Sequence, residues 1–248
     1  MKLLGIVGGI GPESTIDYYQ ALIAGWRGRT GDNSYPPMVI TSIDLTRLRG
    51  YFEVGDLASA AAYQVEEVER LAQAGAQFAI LAANTAHLVF DEVARRSRLP
   101  MISIVEATAD DVQRRGMRRV GLLGTRYTMK GPIYPDVLAR HGIAVAIPAE
   151  DDIEVVHQTY FDELVPGIFK PETRARFVGI IERMRERDGI EAVILGGTEL
   201  PLLFKAGGGA GGGDQRVGES GTVLLDTTRI HVARILDAML EGGPEATR

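Results

Sequence analysis

An α/β fold is expected, built as two similar lobes that are each a mainly parallel sheet flanked by helices. Short apolar, β-capable runs alternate with helix-length segments along the whole chain. Four of the runs open into turns of small residues: Gly8-Gly9 after 3–7, Ala83-Asn84-Thr85 after 78–82, Gly124-Thr125 after 120–123 and Gly196-Gly197-Thr198 after 191–195. Ala83 stands 75 residues beyond Gly8, and Gly197 stands 73 beyond Gly124. Like features at like spacing are what an internal repeat of one α/β unit leaves in a sequence.

At 248 residues the chain is long enough for two lobes with a substantial core. Hydrophobic residues are 45% and charged residues 24%, the balance of an ordinary soluble globular protein. A formal net charge of −6 and short, interrupted basic clusters (Arg114-Arg115, Arg118-Arg119) argue against a nucleic-acid or anionic-membrane partner. No apolar run approaches about 18 residues, so no membrane-spanning helix is expected. Met1 to Val7 holds one basic residue and runs into a Gly turn, which reads as a first strand rather than a signal peptide. The chain has no Cys, which excludes disulfides and cysteinyl metal sites and agrees with a cytoplasmic location. His87, His141, His157 and His231 lack metal-ligand spacing, so no metal is expected.

Residues 3–7 form the first strand. Pro12 suits the first position of the next helix, where a missing N–H leaves no bond unmade, and that helix runs from about Glu13 to Trp26. Pro36-Pro37 ends the connection to a second strand over 38–43. Asp44 to Gly55, carrying Arg47, Arg49 and Tyr51, reads as a long loop. An Ala-rich helix from Leu57 to Gly75 puts Glu66, Glu67 and Glu69 on its outer side. Strand 78–82 leads into helix 86–96, and 100–104 reads as strand then turn. The second half repeats the alternation, with helix 106–115, strand 120–124, helix 132–140, strand 143–147, helices near 150–163 and 171–187, strand 191–195 and a short helix after Thr198. Gly207 to Gly213, with Asp214 to Gly221 after it, reads as a flexible loop. Thr222 to Leu225 is a last strand, Asp226 caps a final helix through Leu240, and 244–248 fray. The expected division is 1–103 with 207–248 as the N-terminal lobe and 104–206 as the C-terminal lobe.

In open α/β sheets ligands bind at the carboxyl ends of strands, so the four turns are the candidate sites. Gly9-x-Gly11-x-x-Ser14 approaches a dinucleotide fingerprint, but Ser replaces the third Gly and Pro12 removes a donor. Asp44 lies 33 residues beyond Gly11, where the ribose-binding acid is expected at about 20, so a nucleotide is disfavoured. Gly9, Gly11 and the hydroxyls of Ser14 and Thr15 suit a small anion, and a plain tight turn is the simpler alternative. Asn84 and Thr85 offer donors and acceptors beside helix N–H groups and suit a carboxylate, unless they only cap. His87 is a candidate acid or base, or a hydrogen-bonded structural histidine. Gly196-Gly197 permits close backbone approach to a ligand. Thr198 is a binding hydroxyl or a cap, and Glu199 is a general base if burial raises its pKa, or else a solvated helix-start glutamate. Thr125, followed by Arg126 and Tyr127, mirrors the first Gly turn and can hold an anion, against the alternative of exposed surface.

Gly-Ile-Val-Gly-Gly-Ile-Gly-Pro-Glu-Ser-Thr (5–15), Asn-Thr-Ala-His (84–87), Ser-Ile-Val-Glu-Ala-Thr (103–108), Gly-Leu-Leu-Gly-Thr (121–125), Leu-Gly-Gly-Thr-Glu-Leu-Pro (195–201) and Leu-Asp-Thr-Thr-Arg-Ile-His (225–231) follow one another along the chain. In order and in sum they resemble the aspartate/glutamate racemase family over nearly its whole length. The resemblance implies two pseudo-symmetric lobes with a ligand cleft between them, a homodimer, a small amino- or dicarboxylic acid as ligand, and neither pyridoxal phosphate nor a metal. It also implies two catalytic cysteines flanking the substrate α-carbon. Their positions here are Ala83 and Gly197, neither of which can act as acid or base. Pro166 stands where relatives often carry a carboxylate-holding Lys, with Lys170 close by. Three readings follow. The first is a cofactor-free, racemase-like enzyme that works without thiols, by isomerisation, elimination or decarboxylation, using Thr85, His87, Thr198 or Glu199. The second is a catalytically silent carboxylate-binding or regulatory protein. The third is deliberate replacement of both cysteines, which the natural codons 83 and 197 decide. The first is favoured.

Overall fold

The structure, a computed structural model, describes residues 1–205 and 215–241. The chain divides into two compact units, Met1–Ser103 with His231 onward, and Ile104–Ile230. The first unit runs β1 (Leu4–Gly8), α1 (Pro12–Thr30), β2 (Met38–Ser42), α2 (Leu45–Glu53), α3 (Leu57–Gln73), β3 (Phe78–Leu81), a 3-10 turn (Thr85–Val89) and α4 (Phe90–Arg96). Its strands lie in the order β2-β1-β3, all parallel. β1 and β3 are buried along their whole length, which is why they read as unbroken apolar runs, whereas edge strand β2 is partly open. The expected strand at 100–104 shrinks to one parallel bridge between Ala79 and Met101.

The stretch expected as a long loop is helix α2. Asp44 caps it by accepting the Thr46 N–H at 2.8 Å, and Leu48 and Phe52, one turn apart, are buried. On α3, Glu67 is not outward as expected but buried, and it pairs with Arg70 at 2.6 Å.

The second unit runs α5 (Ile104–Arg114), β4 (Arg119–Gly124), α6 (Arg126–Lys130), α7 (Ile133–Arg140), β5 (Ala144–Ala146), α8 (Glu150–Thr159), α9 (Pro171–Asp188), β6 (Ala192–Gly196), α10 (Leu200–Lys205), β7 (Gln215–Val217), β8 (Thr222–Asp226) and the start of α11 (Thr227–Leu240). After α8 the chain makes a π-helical turn, Tyr160–Leu164. The strand order is β5-β4-β6-β8-β7, parallel except for β7. The order β5-β4-β6 repeats β2-β1-β3, with Val7 opposite Leu81 in one sheet and Gly124 opposite Gly196 in the other. The near-equal spacing in the sequence is therefore one neighbour relation, used once in each sheet.

Residues 215–230 do not join the first unit as expected. β8 pairs with β6 from Ala192–Val223 to Leu195–Asp226, and β7 forms a hairpin on β8 where a loop was expected. The Gly207–Gly213 run and residues 244–248, expected as a flexible loop and a frayed end, lie outside the described residues. Asp226 caps α11 as expected, accepting the Arg229 N–H at 3.0 Å, and the Thr227 hydroxyl donates to the Leu195 carbonyl at 2.8 Å. From His231 on, α11 belongs to the first unit. Val232, Ile235, Leu236 and Met239 pack there with Tyr18, Leu22 and Trp26 of α1 and with Leu4, Ile6, Phe78 and Ile80 of the sheet.

His231 is fully buried in that core. Its Nε2 lies 3.2 Å from the Ile102 carbonyl, which can only accept, so Nε2 carries the hydrogen and Nδ1 accepts the Tyr18 hydroxyl at 2.8 Å. Burial, and secondarily the nearby His87, lowers its pKa to about 3. The unfolded chain takes up this proton below about pH 6.5 and the native one does not until about 3, so the contribution is complete above pH 6.5 and is lost as pH falls. Unfolding free energy measured in urea from pH 7 to pH 4 should show this as a slope of about 1.4 kcal/mol per pH unit that His231→Gln removes.

Candidate active site

The carboxyl end of β1 is held by its own side chains. Gly9 and Gly11 take φ of 77° and 89°, and a Cβ on Gly9 would lie 2.6 Å from both the Ile43 carbonyl and the Ser42 hydroxyl. The Gly9 N–H donates to the Thr15 hydroxyl at 2.9 Å, and the Ser14 hydroxyl donates to the Gly11 carbonyl at 2.8 Å. The groups expected to face a small anion therefore close the turn itself, with Pro12 opening α1 directly behind.

Beside it, β3 ends at Leu81, Ala82-Ala83 follow it, and Asn84 enters the 3-10 turn. Asn84 is buried, and its side chain makes no capping bond, so capping does not explain it. Thr85 is half-buried. His87 donates Nδ1–H to the Ala83 carbonyl at 2.8 Å and stacks on Phe90 at 4.8 Å. Burial pulls its pKa down to about 4, so it is neutral at pH 7 and fixes the Ala83 peptide. Gln64 of α3 supports the same turn, with Nε2 3.4 Å from the Ala86 carbonyl.

In the second unit, Thr125 caps α6 by accepting the Thr128 N–H at 3.3 Å. Arg126 pairs with Glu154 at 2.5 Å, and its N–H donates to His157 Nδ1 at 3.2 Å. Lys170 pairs with Glu163 at 2.8 Å. Both cations singled out in the sequence thus have carboxylate partners.

The end of β6 differs in kind. Thr198 and Glu199 form a turn ahead of α10, and Glu199 is only 2% exposed rather than solvated. Its Oε2 accepts the Tyr160 hydroxyl and lies 3.2 Å from the Thr198 hydroxyl. Tyr160 is buried, and burial first, then the Glu199 charge, pushes its pKa well above the ordinary value. Its ring covers Gly197: a Cβ there would lie 2.5 Å from Tyr160 Cε2 and 2.7 Å from its hydroxyl. Tyr160 is the residue that sequence reading missed. It lies in what read as one helix over 150–163, and the π-helical turn that carries it has no plain sequence mark.

A family model described as Asp/Glu/Hydantoin racemase matches residues 7–235. The chain belongs to that racemase family. A crystal structure from Yersinia pestis, assigned as an Asp/Glu racemase, is 31% identical with a TM-score of 0.82, covering 97% of this chain and 100% of the other. An aspartate racemase homologue from Pyrococcus horikoshii is 34% identical with a TM-score of 0.77, covering 96% and 99%. A broad-specificity amino-acid racemase of Bacillus subtilis is 29% identical over 170 residues, 66% of this chain and 67% of that protein. The paired α/β build is the Asp/Glu racemase fold, and these relatives support a racemase or isomerase class for the chain.

Gly197→Ala should cost about 1–3 kcal/mol through overpacking on the Tyr160 ring. The same change in a Tyr160→Ala background should cost less, and urea denaturation of the four proteins measures the coupling. Equal costs in both backgrounds would exclude the steric contact as the cause.

Proposed function

We propose that the chain is a cofactor-independent isomerase that labilises the α-proton of a small amino acid or dicarboxylate without thiols, with Glu199 as the base of the β6 end. The observation that carries this reading is the buried Glu199 carboxylate, held by two hydroxyls at the carboxyl end of a central parallel strand. An α-proton is a weak acid, so its removal needs a positioned base with low solvent competition. Ala83, which the resemblance pairs with Gly197, offers no acid or base, so proton transfer is assigned to one face. In the second unit, Thr125 at the neighbouring β4 end is the polar group offered to the carboxylate of the ligand. A homodimer in the cytoplasm belongs to the same proposal, and sedimentation of the purified protein tests the dimer.

A base acting on one face returns the proton mostly to that face, and inversion follows only when the planar carbanion turns its other face before reprotonation. In D2O the wild-type protein should replace the α-hydrogen of at least one acid, followed by NMR across a panel of amino and hydroxy acids. Chiral chromatography of the same samples should show inversion lagging behind exchange. Equal rates would demand a second proton carrier. Saturable binding by calorimetry without exchange would move the chain to the silent binder, and neither binding nor exchange would end both readings.

A further inference from the structure

We propose that the Tyr160 hydroxyl is the atom that trades a proton with the substrate, and that Glu199 is the proton reservoir behind it. This rests on the isomerase reading above and adds a named path for the proton. Two features of the second unit motivate it. The hydroxyl lies along Gly197, in the volume that a side chain at 197 would fill, so at this strand end it takes the place of that residue's own functional group. Glycine at 197 is what leaves room for the phenol at this strand end. The carboxylate sits directly behind the phenol's hydrogen: Glu199 is 2% exposed, and its Oε2 is engaged by the Tyr160 and Thr198 hydroxyls.

The step balances without a co-reactant. The substrate C–H bond breaks and its proton bonds to the Tyr160 oxygen. In the same movement the Tyr160 O–H bond breaks and that proton bonds to Glu199 Oε2. The C–H electron pair stays on the α-carbon, delocalised into the substrate carboxylate. Tyr160 ends as a phenol and Glu199 as a carboxylic acid, and the reverse passage restores both. Tyr160 never becomes a free phenolate, which agrees with the upward push that burial and the Glu199 charge give its pKa.

The test is the α-hydrogen exchange rate in D2O for wild type, Tyr160→Phe, Glu199→Gln and the double variant. Phe keeps the ring over Gly197, and circular dichroism checks that each variant is folded. Each single change should lower the rate by about 10²- to 10⁴-fold, the usual share of general acid–base catalysis. The double variant should lose no more than either single one, because the two groups act as one unit. Replacing Tyr160 with a fluorinated tyrosine, a more acidic and less basic phenol, should change the exchange rate on the pH plateau itself, which a ring that only covers Gly197 would not do. Wild-type exchange with unchanged exchange in Tyr160→Phe overturns the relay and leaves the isomerase reading standing, with Glu199 acting directly. Losses that multiply in the double variant also overturn it. No exchange by the wild type on any acid removes the isomerase reading and the relay with it.

Discussion

Parallel pairing of two central strands, made once in each unit, is the constraint on which the rest of the molecule depends. β1 with β3, and β4 with β6, are buried on both faces, so each must satisfy its backbone groups within the sheet. Because the paired strands run the same way, their carboxyl ends finish side by side. The Gly8–Gly11 turn is thereby placed next to Ala83-Asn84-Thr85, and Gly124-Thr125 next to Gly196-Gly197. The second of these pairs is packed backbone to backbone. A Cβ on Gly124 would stand 2.6 Å from the Gly196 carbonyl, so the chain can afford no side chain where those two ends meet.

The two strand ends that resemble each other in sequence have diverged in chemistry. In the first unit, polar groups mostly hold the backbone: Thr15 and Ser14 close the first turn, and neutral His87 pins the Ala83 peptide. In the second, a carboxylate is kept inside by two hydroxyls, Tyr160 and Thr198. A buried carboxylate is costly unless its lone pairs are met, and these two hydroxyls meet it. The pseudo-repeat is therefore one of framework rather than of function, and the asymmetry lies in a few side chains.

Most of the framework was legible in the sequence, because unbroken apolar strands, Gly turns and caps are local signals. Asp226 capped where its position in the sequence put it, and the 75- and 73-residue spacings corresponded to real strand neighbours. What escaped was set by tertiary contact. Asp44 to Gly55 looked like a loop because its burial rests on only two side chains, Leu48 and Phe52. Residues 215–217 looked like part of a Gly-rich linker because a three-residue edge strand has too short a pattern to read. At the site, the turns and Glu199 were visible, whereas Tyr160 was not, since 39 residues and a π-helical turn separate it from its partner.

Helix α11 has a consequence for how the chain is made. The first unit's core includes Val232, Ile235, Leu236 and Met239, which leave the ribosome only after the whole of the second unit. Each such side chain contributes about 1.5–3 kcal/mol when buried, and four together rival the whole net stability of a domain, about 5–15 kcal/mol. The second unit, 104–230, has its full complement of strands before those residues emerge. During synthesis the second unit is thus the one able to finish first, while residues 1–103 wait for α11, against the usual N-terminal-first order.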